Sequence, residues 1–552
     1  WGVAMRRAYD TQRATAEDPA VNYLSYWTDN GAYYYGDRWG ETAGAAGPIT
    51  EKSFTDVAAG LRSQGLMDAV KIWQLDDWWY PGGPGVYVSC VRNWTLAPAD
   101  FQHSLGDLSK RLGAKWLLYV PFFCPDNVYA HRYRFVLSAG GRAQFAEPHP
   151  DDALAFYREL FDYGVANGMR AYENDFLNFN QLSMPHFRRV FGAASQWLAA
   201  IDTAASERRL PVQMCMALPS NLMESLRFSS VTNYRASGNY AGSDNFDIGG
   251  SALLAFALGL RPSKDNFWTH RPQSAIDTGR PWGVRDNPGS NCELNTIIAT
   301  LSMGPVGIAD KAWDTNRTLV LRSVRPDGLI IQPDKPVTSV DAMFAPKEWG
   351  VAPLGHVWST YSSVAGDPKH IWHYVLSIGL RAGWQLAEAD FFPRLRAADG
   401  WVARRWHAGG QPAPCPAGSG ALASGCLLGR PVRAAADLPR VVNDRPPAQP
   451  HDALPFDLLQ LAPILGNGWV LLGDLGRYVG VSSKRFSSVA AAQDGLSAVV
   501  LGAAGERLTL TALQPMGRDW LVLQRHVHFR TAAPVAVRFA REGGPAPKAL
   551  LV

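Results

Sequence analysis

Short β-prone runs alternate with longer helical patterns from residue 20 to about residue 310, and this alternation restricts the fold more than any other feature. Helical stretches such as 151–168 and 185–209 separate the runs. Repeated βα units build a parallel sheet, so eight of them predict an α/β fold with a (β/α)8 TIM barrel and disfavour a doubly wound open sheet. The eight candidate strands are 22–27, 69–75, 114–120, 169–174, 212–217, 231–236, a weak run at 258–263, and 304–309.

After about residue 350 the pattern changes to β-prone runs separated by Gly, Pro and Asp turns. Examples are "GWVLLGDLGRYVGVSS" and "WLVLQRHVHF". These runs predict a C-terminal antiparallel β-rich domain over 351–552, following a barrel domain over 1–350. Residues 407–452 are rich in Pro, Ala and Gly, and we expect them to form a long loop or insertion.

The composition argues against two classes of partner. Lys and Arg exceed Asp and Glu by 53 − 49 = 4, and no long basic run occurs. The charge of the chain therefore does not indicate that it binds nucleic acid. The longest apolar run, "ALLAFALGL", is far shorter than the roughly 18 residues of a membrane span. The 20 Trp, 19 Tyr and 23 Phe suit stacking on sugars but equally suit the core of a large protein.

Cysteines and glycosylation motifs indicate the compartment. Cys415 and Cys426 bracket a loop of small residues that a disulfide could close. Asn93 and Asn316 begin acceptor sequons for N-glycosylation. The chain starts at Trp1 without an initiator Met, so we expect a processed product. These features favour the extracellular space or the lumen of the secretory pathway, with the cytoplasm as the alternative.

Polar and aromatic residues follow the predicted strands, where the active site of a TIM barrel lies. The second strand ends in "QLDDWWY", with Asp76 and Asp77 side by side. Neighbouring residues on a strand point to opposite faces, so only one of these carboxylates need face the barrel mouth. A carboxylate framed by indoles suits a sugar, and the alternative is a turn that ends the strand.

The fourth strand ends in "YENDF", which makes Asp175 the best candidate for a nucleophile. Glu173 lies two residues earlier and on the same face of an extended strand. A retaining glycosidase places two carboxyl groups about 5 to 5.5 Å apart, and an inverting one about 6.5 to 9.5 Å apart. The alternative is that "END" caps the helix that follows.

From about residue 20 to 345, six motifs in order resemble glycoside hydrolase family 36 and its clan, especially the raffinose synthase and seed imbibition branch. "QLDDWW" is similar to the family's "IIDDGW", and "GMRAYENDFLN" is similar to "GVDGVKVDVQN". "MCMALPSN" resembles "SCMSHN", "RASGNY" resembles "RASDDF", and "PSKDNFWTH" resembles "PDWDMFHS". The sixth motif, beginning "GPVGIADK", resembles the branch's barrel-closing segment.

The resemblance implies a (β/α)8 barrel with a C-terminal β-sandwich and a retaining double displacement on α-galactosides, with Asp175 as the nucleophile. Members of the family also carry a large N-terminal β-domain, which would be absent or lie upstream of Trp1. No cofactor and no metal are predicted, since the 12 His show no ligand spacing. The predicted partner is a carbohydrate, and the oligomeric state does not follow from the sequence.

The sequence differs from the family's motifs at three places where the family carries active-site residues. Gly238 and Asn239 replace an acidic pair whose second member would be the acid/base, and an amide cannot deliver a proton. Glu173 replaces a Lys, so its repulsion with Asp175 is expected to raise the pKa of one of the two. Lys264 replaces a Trp.

Three hypotheses follow: an active glycosidase with a rebuilt site, a catalytically silent carbohydrate-binding or structural module, and a galactosyl-transfer enzyme of raffinose type. The candidate acids of the first are Glu173, Asp244 and Asp247, although a loop Asp also caps turns. The predicted catalytic set is Asp175, Glu173, Asp244 and Asn239. The predicted substrate-binding set is Trp27, Asp29, Asp76, Asp77, Trp78, Trp116, Cys215, Arg235, Lys264, Asp265 and Trp268.

Overall fold

The computed structural model of the protein describes residues 1–29, 31–33, 50–77, 79–83, 89–140, 144–239, 248–270, 291–344, 355–365, 370–380, 383–406, 413–414, 426–427, 431–441, 443, 454–517 and 519–541. Two compact units divide the chain: Trp1–Asn287 with Gly304–Arg317, and Pro288–Met303 with Thr318–Val552. The predicted boundary at residue 350 lies outside the described residues, so the division into 1–350 and 351–552 stays a prediction. Most of the predicted loop at 407–452 lies outside them as well.

Eight parallel strands form one sheet in the first unit, and each lies within a run that the sequence predicts. The first seven strands pair in chain order, and the eighth pairs with the first. A parallel bridge between Phe267 and Ile308 closes the ring between the seventh and eighth strands. The predicted (β/α)8 barrel is therefore confirmed. Its strands are β1 (Ser25–Tyr26), β2 (Ile72–Leu75), β3 (Trp116–Val120), β4 (Met169–Asn174), β5 (Val212–Met214), β6 (Val231–Arg235), β7 (Arg261–Ser263) and β8 (Gly307–Ile308).

Two of the longer helices begin at residues that suit a helix start. Thr50 accepts a hydrogen bond from the Ser53 amide ahead of the helix Glu51–Ser63, and the Ser53 hydroxyl accepts from the Thr50 amide, which makes a capping box. Pro150 opens the helix Pro150–Ala166, where a missing N–H costs nothing. No helix within the described ranges is long and apolar enough to cross a lipid bilayer. The helices described are α1 (Gly2–Tyr9), α2 (Pro19–Asn22), α3 (Glu51–Ser63), α4 (Leu105–Leu112), α5 (Pro150–Ala166), α6 (Leu177–Ser183), α7 (Pro185–Arg189), α8 (Ala193–Ser206), α9 (Pro219–Glu224), α10 (Ile248–Leu258), α11 (Cys292–Leu301) and α12 (Arg317–Val320).

The second unit contains the antiparallel sheets that the sequence predicts, arranged as a β-sandwich. Its sheets are tied face to face by buried side chains. The Trp372 indole N–H donates to the Leu471 carbonyl at 2.8 Å, and the Tyr374 hydroxyl donates to the Val481 carbonyl at 2.8 Å. The strands are Thr338–Ser339, His356–Ser363, Ile371–Ile378, Phe456–Pro463, Trp401–Arg405, Cys426–Leu427 and Ala413–Pro414 in one sheet, Val470–Asp474, Arg507–Met516 and Asp519–His528 in a second, Phe486–Ala492, Gly495–Val500 and Val535–Ala540 in a third, and Trp384–Gln385 with Arg440–Val441 in a fourth.

An apolar layer fills part of the barrel interior. Trp27, Ile72, Leu117 and Ala171 are buried together there, from four different strands or strand ends. A Cβ at position 307 would stand 2.7 Å from the Trp27 ring, so this strand position accepts only glycine. Side chains of one strand face alternately in and out, so the residues two positions further along these strands also face inward. Those positions carry the polar groups of the candidate site.

Candidate active site

Glu173 of β4 is a buried carboxyl group held by two amides. Gln74 of β2 donates to its Oε2 at 2.7 Å, and Gln213 of β5 donates to its Oε1 at 2.8 Å. The glutamate is only 1% exposed. Burial, and then repulsion from Asp175 and Asp29, raise the pKa of Glu173 to about 8. Burial and the neighbouring negative charges thus favour the protonated form of Glu173.

Gln213 can serve either protonation state of this glutamate. In the orientation with its N–H2 toward Glu173, its Oε1 has no hydrogen-bond partner among the described residues. The two orientations of an amide differ only in which atom faces its partner, and the orientation is assigned from the hydrogen-bond network. A rotated amide would accept from protonated Glu173, so proton uptake requires no other rearrangement of this pair.

Asp175 lies immediately after β4 and is oriented by three donors. The Tyr119 hydroxyl donates to Oδ2 at 3.0 Å, the Phe176 amide donates to Oδ1 at 2.6 Å, and the Cys215 thiol donates to the same carboxylate. Phe176 itself adopts a left-handed conformation, φ 52°, which is uncommon for a residue with a side chain. Burial raises the pKa of Asp175, while these donors act in the opposite direction.

The alternative interpretation of "END" as a helix cap does not apply. Helix α6 begins at Leu177 after an N-cap residue, Phe176, that makes no side-chain capping hydrogen bond. The two carboxyl groups of the motif instead face partners on β2, β3 and β5. Both therefore belong to the polar layer at the carboxyl-terminal side of the barrel.

Asp76 joins the same network through Gln74. The Gln74 amide that donates to Glu173 also donates to Asp76 Oδ2 at 3.2 Å, and the Asp77 amide donates to Asp76 Oδ1 at 2.7 Å. Burial, then repulsion from Asp29 and Glu173, raise the pKa of Asp76 well above its ordinary range. Asp76 and Glu173 are thus linked by a single amide group, and burial disfavours the ionised form of each.

Asp77 faces other partners, as the alternation along a strand predicts. Its carboxylate accepts from the Tyr80 hydroxyl, and from the Ser89 amide at 3.1 Å and hydroxyl at 3.0 Å. Ser89 precedes Cys90, which forms a disulfide with Cys124 in the segment after β3. Asp77 therefore anchors the connection after β2, and the disulfide ties that connection to its neighbour.

Arg235, at the end of β6, bridges three acceptors. Its guanidinium bonds Asp29 Oδ2 at 2.8 Å, Asp265 Oδ2 at 2.7 Å and Asn239 Oδ1 at 2.8 Å. The Arg235 side chain is buried, as are both carboxylates, while Asn239 is exposed. Two buried carboxylates on one guanidinium neutralise its charge. The arginine therefore joins the ends of β1, β6 and β7 and holds Asn239 beside them.

Lys264 is buried directly before Asp265. Its ammonium donates to the Asn266 carbonyl at 3.4 Å and lies 5.3 Å from the centroid of the Phe267 ring. Asp265 adopts φ 67°, a left-handed conformation that is uncommon for a residue with a side chain. This bend follows β7 directly and turns the Asp265 carboxylate toward Arg235.

The tryptophans predicted to bind substrate lie in different parts of the barrel. Trp27 belongs to the apolar interior layer. Trp116 starts β3 at its amino-terminal end, where its ring lies 6.1 Å from Phe54 of α3, so the structure does not bring it to the carboxyl cluster. Trp268 follows β7 and is completely buried. Trp78, Asp244 and Asp247 lie outside the described residues.

Sequence reasoning missed Gln74, Gln213 and Tyr119, which hold the carboxyl groups in place. The available signal was a polar residue at an inward position of an apolar strand, as in "KIWQL" and "VQMCM". The sequence also gave no indication of the Cys90–Cys124 disulfide. The side chains of the predicted pair, Cys415 and Cys426, lie outside the described residues.

Within the described ranges, no group of three or more His, Cys, Asp and Glu side chains is arranged to hold a metal ion. The carboxyl cluster is instead bound by amide, hydroxyl, thiol and guanidinium donors. These carboxyl groups can accept hydrogen bonds from hydroxyl groups, and when protonated they can also donate. Asp175 is an oriented carboxyl group that, when ionised, could act as a nucleophile.

Comparison with known proteins gives no family assignment. No protein-family profile matches the chain, and no curated protein matches it in sequence. The resemblance to family 36 therefore stays a prediction.

Solved structures similar to the chain include an isomalto-dextranase from Arthrobacter globiformis T6 complexed with panose, with 11% identity, a TM-score of 0.49, and coverage of 96% of this chain and 94% of that one. A GH31 family sulfoquinovosidase from E. rectale has 11% identity, a TM-score of 0.42, and coverage of 82% and 64%. An alpha-N-acetylgalactosaminidase from Bifidobacterium bifidum has 12% identity, a TM-score of 0.37, and coverage of 67% and 61%. At these scores, only the site itself carries an argument about function.

Proposed function

We propose that the protein is a glycoside hydrolase that cleaves an α-galactoside-like or related oligosaccharide by a retaining mechanism, with Asp175 as the nucleophile. The observation that carries this proposal is the state of Asp175. At 7% exposed it is more accessible than Glu173 at 1%, three donors orient it, and unlike the similarly exposed Asp29 at 6% it is not ion-paired with Arg235. A carboxylate nucleophile needs this combination of fixed orientation and access.

The electrostatics of the cluster support the same assignment. When neighbouring carboxyl groups compete for protons, their environments decide which one stays ionised. Glu173 and Asp76 are both raised in pKa by burial and by like charge, and they take up protons first. Donors from Tyr119, Phe176 and Cys215 favour the ionised form of Asp175. Of the three groups, Asp175 is thus the one whose donors oppose the rise in pKa that burial causes.

In the proposed reaction an Asp175 oxygen attacks the anomeric carbon and the bond to the leaving oxygen breaks, which gives a glycosyl ester of Asp175. Water then attacks the same carbon and releases the aspartate. Glu173 does not suit the role of acid, because both of its oxygens face glutamine amides and it is almost inaccessible. We assign Glu173 a positioning and electrostatic role beneath Asp175.

A neutral carbohydrate fits the surroundings of Asp175. Carboxyl groups such as Asp76 accept hydrogen bonds from sugar hydroxyls, and when protonated they also donate. Arg235 has its charge balanced by Asp29 and Asp265, so it offers little attraction to an anionic sugar. The cluster therefore favours a substrate recognised through hydroxyl groups.

One observation favours a second candidate, a silent carbohydrate-binding module. Asn239 stands where the resembling family has an acid, and its amide is bonded to Arg235. Such a site would bind sugars without cleaving them.

The test is a panel of nitrophenyl α- and β-glycosides with the wild type and Asp175→Asn, with the surface variant Asp162→Asn as a matched control. Turnover that Asp175→Asn abolishes and Asp162→Asn retains supports the hydrolase. Oligosaccharide binding by the wild type without turnover of any glycoside supports the silent module. Trapping with a 2-deoxy-2-fluoro glycoside, followed by peptide mass spectrometry, locates the nucleophile independently.

We further propose that the protein works outside the cytoplasm. The Cys90–Cys124 disulfide supports this location, since disulfides persist in oxidising compartments. The sequon residue Asn316 is exposed. Peptide mapping of the protein from its native host without a reductant would test the proposal. Recovery of Cys90 and Cys124 as free thiols would contradict it.

A further inference from the structure

Asn239 has a defined orientation because of its partner. A guanidinium group only donates hydrogen bonds, so the atom of Asn239 that faces Arg235 at 2.8 Å must be the carbonyl oxygen. The amide nitrogen therefore points away from Arg235. Since the side chain is exposed, this N–H2 group is available as a donor at the edge of the carboxyl cluster.

The carboxyl groups of the cluster are held by partners within the protein. Asp29 and Asp265 are ion-paired with Arg235. Glu173 is enclosed by two glutamine amides, and Asp76 accepts from Gln74 and from a backbone amide. Each of these four is at most 6% exposed. Among the described residues of the cluster, the group that reaches solvent next to Arg235 is thus an amide donor and not a carboxylic acid.

We propose that the site is specialised for aryl glycosides, whose phenolic leaving group departs as an anion without taking a proton, with Asn239 donating a hydrogen bond to the departing oxygen. This inference rests on the proposed glycosidase function and narrows its substrate from an oligosaccharide to an aryl glycoside. In the first step the electron pair of the broken bond goes to the phenolic oxygen, and Asp175 gains the glycosyl group. A phenolate is stable enough to leave in this way, whereas an alkoxide or a sugar oxygen needs protonation.

The charge of the cluster selects a neutral aglycone over an anionic one. The described cluster holds five carboxyl groups, Asp29, Asp76, Glu173, Asp175 and Asp265, against the single positive charges of Arg235, which pairs with two of them, and of Lys264. A glycosyl phosphate would bring further negative charge beside them. A phenyl ring brings none before the bond breaks. Phosphate as the leaving group is therefore disfavoured, although it too is stable as an anion.

The second step follows the same logic. Water attacks the anomeric carbon of the Asp175 ester, Asp175 is released as the carboxylate, and the proton of the water passes to solvent. The Asn239 amide cannot accept that proton, and among the described residues of the cluster no carboxylate reaches solvent beside Arg235, so we expect this step to be slow and the glycosyl-enzyme to accumulate. Azide, an anionic nucleophile that needs no deprotonation, replaces the water and accelerates turnover.

The test measures kcat/KM for α-D-galactopyranosides of dinitrophenol, nitrophenol and phenol, together with methyl α-D-galactopyranoside and α-D-galactose 1-phosphate. The variants are Asn239→Asp and, as a matched control, Asn167→Asp beyond the amino-terminal end of β4. For the wild type and the control we expect a steep fall in rate from dinitrophenol to phenol and stimulation by azide. For Asn239→Asp we expect the phenyl-to-dinitrophenyl rate ratio to rise by about 10² to 10⁴, the usual effect of a positioned acid.

A shallow dependence in the wild type, without an azide effect, would overturn this inference while leaving the glycosidase function intact, because another group would then supply the proton. Preference for the phosphate would overturn the choice of an aryl aglycone. Failure of every donor with both the wild type and Asn239→Asp would overturn the proposed function itself. Since the slope and the azide effect are measured on the wild type, the inference stays testable if Asn239→Asp does not fold.

Discussion

Replacing Glu173 with Gln should remove a pH-dependent part of the stability of the barrel. The variant keeps the shape of the side chain but cannot ionise, and a rotated Gln213 amide can accept from the new N–H2. Any cost of this rearrangement does not depend on pH. The difference between the variant and the wild type at several pH values therefore isolates the ionisation of Glu173.

The sign follows from the raised pKa. In the folded protein Glu173 has a pKa of about 8 against 4.5 in the unfolded chain, so the folded state binds more protons between these values. The stability contributed by the protonated group is fully present below pH 4.5 and is lost as the pH rises toward 8. With 1.36 kcal/mol for each pH unit, the complete loss has an upper limit of about 5 kcal/mol. Asp175 and Asp76 share the repulsion, so we expect a few kcal/mol.

The assay is urea unfolding of both proteins at intervals between pH 5 and pH 9, with separate transitions fitted where the two units unfold independently. We expect Glu173→Gln to gain stability relative to the wild type as the pH rises, with most of the gain between pH 5 and pH 8 and little change above pH 8. Glu207→Gln is the control: Arg158 lowers the pKa of this exposed glutamate, so it titrates below the measured range. A difference between Glu173→Gln and the wild type that stays constant with pH would refute the assignment of a raised pKa to Glu173.

Three further predictions concern neighbouring groups. Tyr119→Phe removes a hydrogen bond worth about 1.5 to 3 kcal/mol to the ionised Asp175, so its pKa rises and the acidic limb of the kcat/KM profile moves to higher pH. Tyr172→Phe, which loses a bond only to Asn174, should leave that limb in place, and equal shifts would contradict the role of Tyr119. Asp29→Asn removes a like charge that raises the pKa of Glu173 and Asp76, so the pH window of the unfolding experiment should move to lower pH, and an unmoved window would exclude the repulsion. Replacing Cys90 and Cys124 together with Ser opens a loop with a sequence separation of 34 residues and should cost about 4 kcal/mol in denaturant unfolding, whereas no loss would show that the bond does not restrain the unfolded chain.

The barrel could be predicted from the sequence because strand and helix periodicities are local properties of the chain. All eight strands lie within the predicted runs, and the strand at 169–174 matches its predicted bounds. The expectation that Asp76 and Asp77 diverge also followed from local geometry, since adjacent side chains of a strand face opposite ways. The positions after the strands that carry Asp175 and Arg235 were found for the same reason.

The partners of these residues could not be predicted in this way. Gln74 meets Glu173 across 99 positions of sequence, and Arg235 meets Asp29 across 206. No local pattern indicates that a glutamine in one apolar strand will enclose a glutamate in another. The disulfide shows the same limit, because Cys90 and Cys124 are brought together by the packing of two loops.

By itself, the sequence determined the fold class, the eight strands and the strand ends where an active site of such a barrel lies. Periodicity and alternation suffice for this because they act between near neighbours in the chain. Tertiary structure alone decided that three donors orient Asp175, that burial raises the pKa of Glu173 and Asp76, and that Asn239 bonds Arg235 through its oxygen. These properties depend on burial and on contacts between distant strands. Both arise only when the barrel closes and removes the side chains from water.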